Sequence, residues 1–160
     1  MSMRMTAFFN RRAWASDAGS ALVELAVSLP LLVLVMVGAI DFARVFYMGM
    51  ELTNAARAGA QYGAYNPAQS GNIAGMQAAA TGSVNITDVT ATASRTCRCA
   101  TATDVLPAAT SCTTTCPIGQ HLVVTVTVTT AKTFTTVAGS FPGIPHSVSL
   151  VRAATLRVPN

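Results

Sequence analysis

Ala21 to Ile40 reads ALVELAVSLPLLVLVMVGAI. The run has 20 residues, with one charge, Glu24, and one proline, Pro30. As a helix rising about 1.5 Å per residue it reaches roughly 30 Å, the thickness of a bilayer core. Before it lies a short basic head with Arg4, Arg11 and Arg12, opposed only by Asp17. Phe8, Phe9 and Trp14 in that head suit a membrane surface. The run is too long for a secretory h-region and has no small-x-small cleavage site behind it, so it reads as an anchor. The arginines ahead of it favour an N-terminus inside and a C-terminal body outside the cytoplasmic membrane.

Composition narrows the function classes. Of 160 residues, 51% are hydrophobic and 10% charged, and the net charge is +4. The sequence pI of about 9.2 is no argument for nucleic acid, because beyond Ile40 the cations are scattered singletons without aromatic platforms. No phosphate loop, nucleophile elbow or HExxH metal motif is present. Asp88 and Asp104 make a poor acid–base pair, and His121 and His146 stand alone and read as surface or loop histidines. The chain is expected to be no enzyme and to need no cofactor.

The helical pattern outlasts the apolar run. Phe42, Val45, Phe46 and Gly49, then Leu52, Ala55, Ala56, Gly59 and Tyr62, recur at three- and four-residue steps. Asp41 and Arg44 can pair on the helix surface. Tyr65-Asn66-Pro67 predicts a stop near Ala64, because a residue before proline avoids the helical region. Gly49, Gly59 and Gly63 each weaken the outer half by about 1 kcal/mol relative to alanine, so that half needs something packed against it. The small residues from Ala55 to Gly63 suit either another helix or the chain's own sheet.

A second short helix is expected over Ser70–Ala80, and a first strand over Val84–Ser94. Leu122–Phe134 is the clearest strand, with Val124, Val126 and Val128 alternating with Thr125, Thr127 and Thr129. Ser147–Val158 is a third, after a Gly- and Pro-rich loop over Ala138–Pro145. The expected fold is α+β: a long N-terminal transmembrane helix extending outward, with a small antiparallel β-sheet packed on its outer half. Its expected division is a basic leader over 1–19, the transmembrane and extended helix over 20–64, and an exported Thr-rich β domain over 65–160.

Cys97, Cys99, Cys112 and Cys116 all lie in that last part. An exported body makes disulfides the natural reading. Zinc is the rival, although C-x-C with C-x3-C is not the usual zinc knuckle. Four cysteines allow three pairings. A nested one, Cys97 with Cys116 and Cys99 with Cys112, would suit a hairpin-like excursion between strands.

Gly19 followed five residues later by Glu24, at the head of an apolar helix, fits a type IV prepilin-like signal. Glycine before a cut lets a protease approach the backbone. A carboxylate inside an apolar run is costly and is usually kept for a partner. Two readings of Glu24 stand: it pairs with a new α-amino group at Ser20, or it reaches water at the cytosolic face. Pro30 reads either as a bend or as a tolerated transmembrane proline.

Gly19-Ser20-Ala21-Leu22-Val23-Glu24-Leu25-Ala26, Ser28-Leu29-Pro30-Leu31-Leu32, Gly38-Ala39-Ile40-Asp41-Phe42-Ala43-Arg44 and Thr53 to Tyr62 together resemble the TadE-like family, pseudopilin-like proteins of bacterial tight-adherence (Flp) pilus systems. The resemblance covers Gly19 to about Tyr62. It implies a prepilin peptidase cut between Gly19 and Ser20, with Glu24 serving processing and subunit placement. It implies pilin-like subunits and pilus assembly proteins as partners, and a role in assembly through protein–protein contact. Leu25 departs from the aromatic residue that pilins and many relatives carry after the glutamate. The alternative is an uncleaved bitopic protein whose exported domain binds a ligand or surface.

Overall fold

A computed structural model describes residues 15–101 and 108–159, with side chains from Gly19 onward. The basic head with Arg4, Arg11 and Arg12, its aromatic residues, the side chain of Asp17, and Asp104 lie outside the described residues. In chain order the elements are α1 (Ala15–Ala64), α2 (Pro67–Ser70), α3 (Ile73–Gly82), β1 (Thr90–Ala100), β2 (His121–Thr135), a 3-10 turn (Ala138–Ser140) and β3 (Ser147–Arg157). The chain forms two compact units, Met1–Ile40 and Asp41–Asn160, so their boundary falls inside α1.

In the first unit, α1 starts at Ala15, ahead of the expected Ala21, and runs through Pro30 without a break. Its side chains from Gly19 to Ile40 are all exposed or half-exposed. Leucines and valines face every direction, and the helix is long and apolar enough to cross a membrane. A helix apolar all round with nothing covering it is suited to lipid, where its backbone bonds are satisfied internally. Ser28 adds a side-chain bond by donating from Oγ to the Glu24 carbonyl at 2.8 Å.

In the second unit, the rest of α1 ends at Ala64 as the Asn-Pro step dictates. Asn66 caps α2 by accepting from the Gln69 N–H at 2.8 Å, with Pro67 at its first position. Asn72 caps α3 by accepting from the Gly75 N–H at 2.9 Å. The expected second helix over Ser70–Ala80 is therefore α3, shifted towards Gly82, and α2 is a separate turn ahead of it. The three strands form one antiparallel sheet in the order β1-β2-β3. β1 begins later than expected because Asp88, at φ 59°, turns the chain just ahead of it. The Thr/Ala alternation then carries on through Arg95 and Arg98.

The sheet packs on α1, as its Val/Thr alternation requires. Val126 and Val128 are fully buried with Ala60, Met76 and Ala80. A Cβ on Gly59 would lie 2.6 Å from the Met76 carbonyl oxygen, and one on Gly63 would lie 2.2 Å from Met76 Sδ. These glycines thus let α3, as well as the sheet, come up to α1. Nearer Asp41, Phe134 packs with Leu52 and Leu150 in a second apolar cluster. Between the clusters, buried Thr130 donates from Oγ1 to the Leu52 carbonyl at 2.8 Å. β2 therefore runs back along α1, from Gly63 towards Asp41.

Phe134 is the largest fully buried side chain in this unit. Phe134→Ala is expected to cost about 3–5 kcal/mol, the range for emptying a large aromatic site. Urea unfolding of the chain in detergent micelles measures it.

Candidate functional site

The Gly19–Glu24 stretch lies within α1, one turn or more past its first residue, and all six residues are exposed. A Cβ on Gly19 would meet nothing within 4 Å, so the Gly19 backbone is open to a large partner. The Gly19–Ser20 bond is nevertheless helical. A protease that reads extended backbone must first unwind it, and Gly19 lowers that cost by about 1 kcal/mol relative to alanine. Gly19, Ser20, Val23, Glu24 and Val27 lie along one side of the helix.

Asp41 is the residue whose role the sequence understated. It immediately follows the apolar run and is only 6% exposed. The expected pair with Arg44 is present, Nη1 to Oδ1 at 3.5 Å. The stronger contacts are to the backbone. Val137 N–H donates to Oδ1 at 3.1 Å and Ala138 N–H to Oδ2 at 2.7 Å. One carboxylate thus ties the first turn of this unit's helix to the 3-10 turn between β2 and β3. Arg44 completes the arrangement by stacking over Phe134, 4.9 Å from the ring centre. No spacing rule links Asp41 to residues nearly a hundred positions away, so sequence reasoning found the ion pair and missed the clasp.

The Ala138 N–H, followed by that of Val137, holds the Asp41 carboxyl below its ordinary value of 3.8; burial opposes them and the Arg44 charge adds to them.

The four cysteines form two disulfides, Cys97–Cys112 and Cys99–Cys116, with Cα separations of 5.1 and 5.5 Å. The bridges interleave, which corrects the nested pairing. The chain first runs antiparallel to β1, and Thr110 N–H donates to the Cys97 carbonyl at 2.8 Å. A turn closed from Thr114 N–H to the Ser111 carbonyl then reverses it. After that reversal the later cysteine meets the later cysteine. Each bridge closes a loop worth about 3 kcal/mol in chain entropy, and together they fasten the excursion to the outer edge of β1.

Among the described residues no three His, Cys, Asp or Glu side chains come together as metal ligands. His121 and His146 are exposed. Arg157 Nη2 lies 3.1 Å from His121 Nε2, which accepts its hydrogen bond.

The model of the TadE-like protein family matches residues 19–61 and supports assigning the chain to that family. The matched stretch holds the whole apolar run, Asp41 and most of the outer half of α1. No curated protein and no solved structure matches the chain.

Because the Asp41 carboxyl is depressed in the fold, its contribution is complete above the unfolded value and is lost as pH falls through the folded one. The Val137 and Ala138 amide proton resonances, followed by NMR in micelles, are expected to titrate together with a midpoint below 3.8. Asp41→Asn abolishes that titration and lowers the unfolding midpoint at neutral pH.

Proposed function

We propose that this TadE-like, membrane-anchored chain is a pilin-like component of a tight-adherence (Flp) pilus machine and acts by protein–protein contact. The observation that carries the reading is that the family match falls on the one helix that is apolar all round and then becomes the packed spine of a small sheet. That arrangement offers an anchor and a folded body.

In this reading residues 1–19 are a leader, 20–64 the anchor and spine, and 65–160 an exported domain. A prepilin peptidase cuts between Gly19 and Ser20, and Glu24 then faces the new α-amino group. The exposure of Gly19 to Glu24 supports access. The disulfides support an oxidising compartment for the C-terminal body, with the N-terminus inside. Pilin-like subunits and assembly proteins are the partners. The second reading, an uncut bitopic protein whose body binds a ligand or surface, draws on Leu25 and on the helical state of the Gly19–Ser20 bond.

N-terminal mass spectrometry of the membrane-extracted protein tests the first reading. A mature start at Ser20 is expected, and Gly19→Ala is expected to lose it. An intact Met1, or a start beyond Ile40, would overturn the processing.

A further inference from the structure

The two edges of the sheet are treated differently. The outer edge of β1 is bridged by Thr110 and held under two disulfides. The outer edge of β3 has no strand beside it among the described residues. β3 is 11 residues long, carries no proline, and buries only Leu150. Such edges template further pairing unless they are guarded.

The register fixes which groups stand open. Val158 N–H donates to the Val124 carbonyl, the residue directly opposite in the β2–β3 register. In an antiparallel pair the hydrogen-bonded positions alternate. Even-numbered residues of β3 therefore spend their backbone groups on β2. Ser149, Val151, Ala153 and Thr155 turn N–H and C=O to the open side.

Beside that edge, between it and α1, lies a groove of about 380 Å³. Phe46 and Met50 supply an apolar wall, 61% and 52% exposed. Arg57 and Arg152 supply charge. The Arg152 guanidinium passes over Gly49, where a Cβ would lie 3.2 Å from Nη2. Its Nη1 donates to the open-edge carbonyl of Val151 at 2.8 Å. Neither Arg57 nor Arg152 has a carboxylate partner among the described residues.

We propose that the β3 edge and this groove receive an extended, acidic segment of another protein, which adds to the sheet as a fourth strand. Its backbone pairs with the four odd-numbered residues. Its inward side chains alternate between carboxylates facing Arg57 and Arg152 and apolar groups resting on Phe46 and Met50. A second copy fits less well: it would bring further arginines to an edge already basic, whereas an acidic strand neutralises it.

The inference rests on the proposed assembly role and names the surface that serves it. The test uses the full chain in detergent, alone and co-purified with its pilus assembly proteins, with hydrogen exchange read residue by residue. The amides of Ser149, Val151, Ala153 and Thr155 are expected to exchange freely in the chain alone and slowly in the complex, while their even-numbered neighbours are slow in both. Ala153→Pro removes one outward N–H and leaves the β2 ladder intact. It should form both disulfides, keep the unfolding midpoint and lose the added protection. Arg57→Glu should weaken the same protection without touching the sheet. A complex that leaves the four odd amides unprotected sinks the docking but not the assembly role. Protection that grows with concentration in the chain alone overturns it in favour of a second copy. If no assembly protein co-purifies with the unaltered chain, the assembly role falls and the docking falls with it.

Discussion

The outer half of α1 cannot stand on its own side chains. From Leu52 to Gly63 it offers mainly alanine and glycine, and its buried surface is nearly flat. A flat helix gains little by intrinsic propensity once glycines are included. It gains by letting other backbones come close. α3 does so at Gly59, where a Cβ would lie 2.6 Å from the Met76 carbonyl oxygen, and Val128 of β2 closes on the same glycine. The price in helix propensity is thus offset by Val126, Val128 and Met76, which are fully buried there. The rest of the second unit follows from that contact. β2 must run along the helix, and β1 and β3 flank it.

The position of Asp41 gives the contact its lower limit. Above the apolar run, the first polar residue of α1 is not left to water. It is buried, and it closes the bottom of the β2–β3 connection by accepting two backbone N–H bonds. A buried carboxylate without such donors would be costly. With them it specifies where the loop lands. Arg44 links the same point to Phe134, so the lower apolar cluster and the loop share one anchor.

The parts readable from sequence are those decided by local periodicity. The end of α1 follows from Asn66-Pro67. β2 follows from Val124 to Thr129, where period two is strict and one face is apolar. The α+β arrangement follows from the small residues of α1 together with that face. What local pattern leaves open is partnering at long range. Asp41 finds Val137 and Ala138, Thr130 finds the Leu52 carbonyl, and Cys97 finds Cys112 rather than Cys116. In the last case a single turn at Ser111–Thr114 decides the answer, and neither cysteine spacing nor strand pattern encodes it. The far end of β1 is hidden for a related reason: Arg95 and Arg98 interrupt the apolar alternation, while the strand continues to Ala100 because α3 and β2 both cover it.

The sheet edges are treated unevenly. β1 is followed by the Thr-rich excursion, which folds back on it and is locked by disulfides. β3 has no strand beside it among the described residues, and the guanidinium of Arg152 guards one carbonyl of that edge. A single arginine satisfies one acceptor and leaves the other open backbone groups of β3 to water. The same arginine makes the edge basic, which discourages pairing with like edges and favours an acidic strand. An edge of this length, guarded by charge and lying beside an apolar groove, is selective where a neutral one would be adhesive.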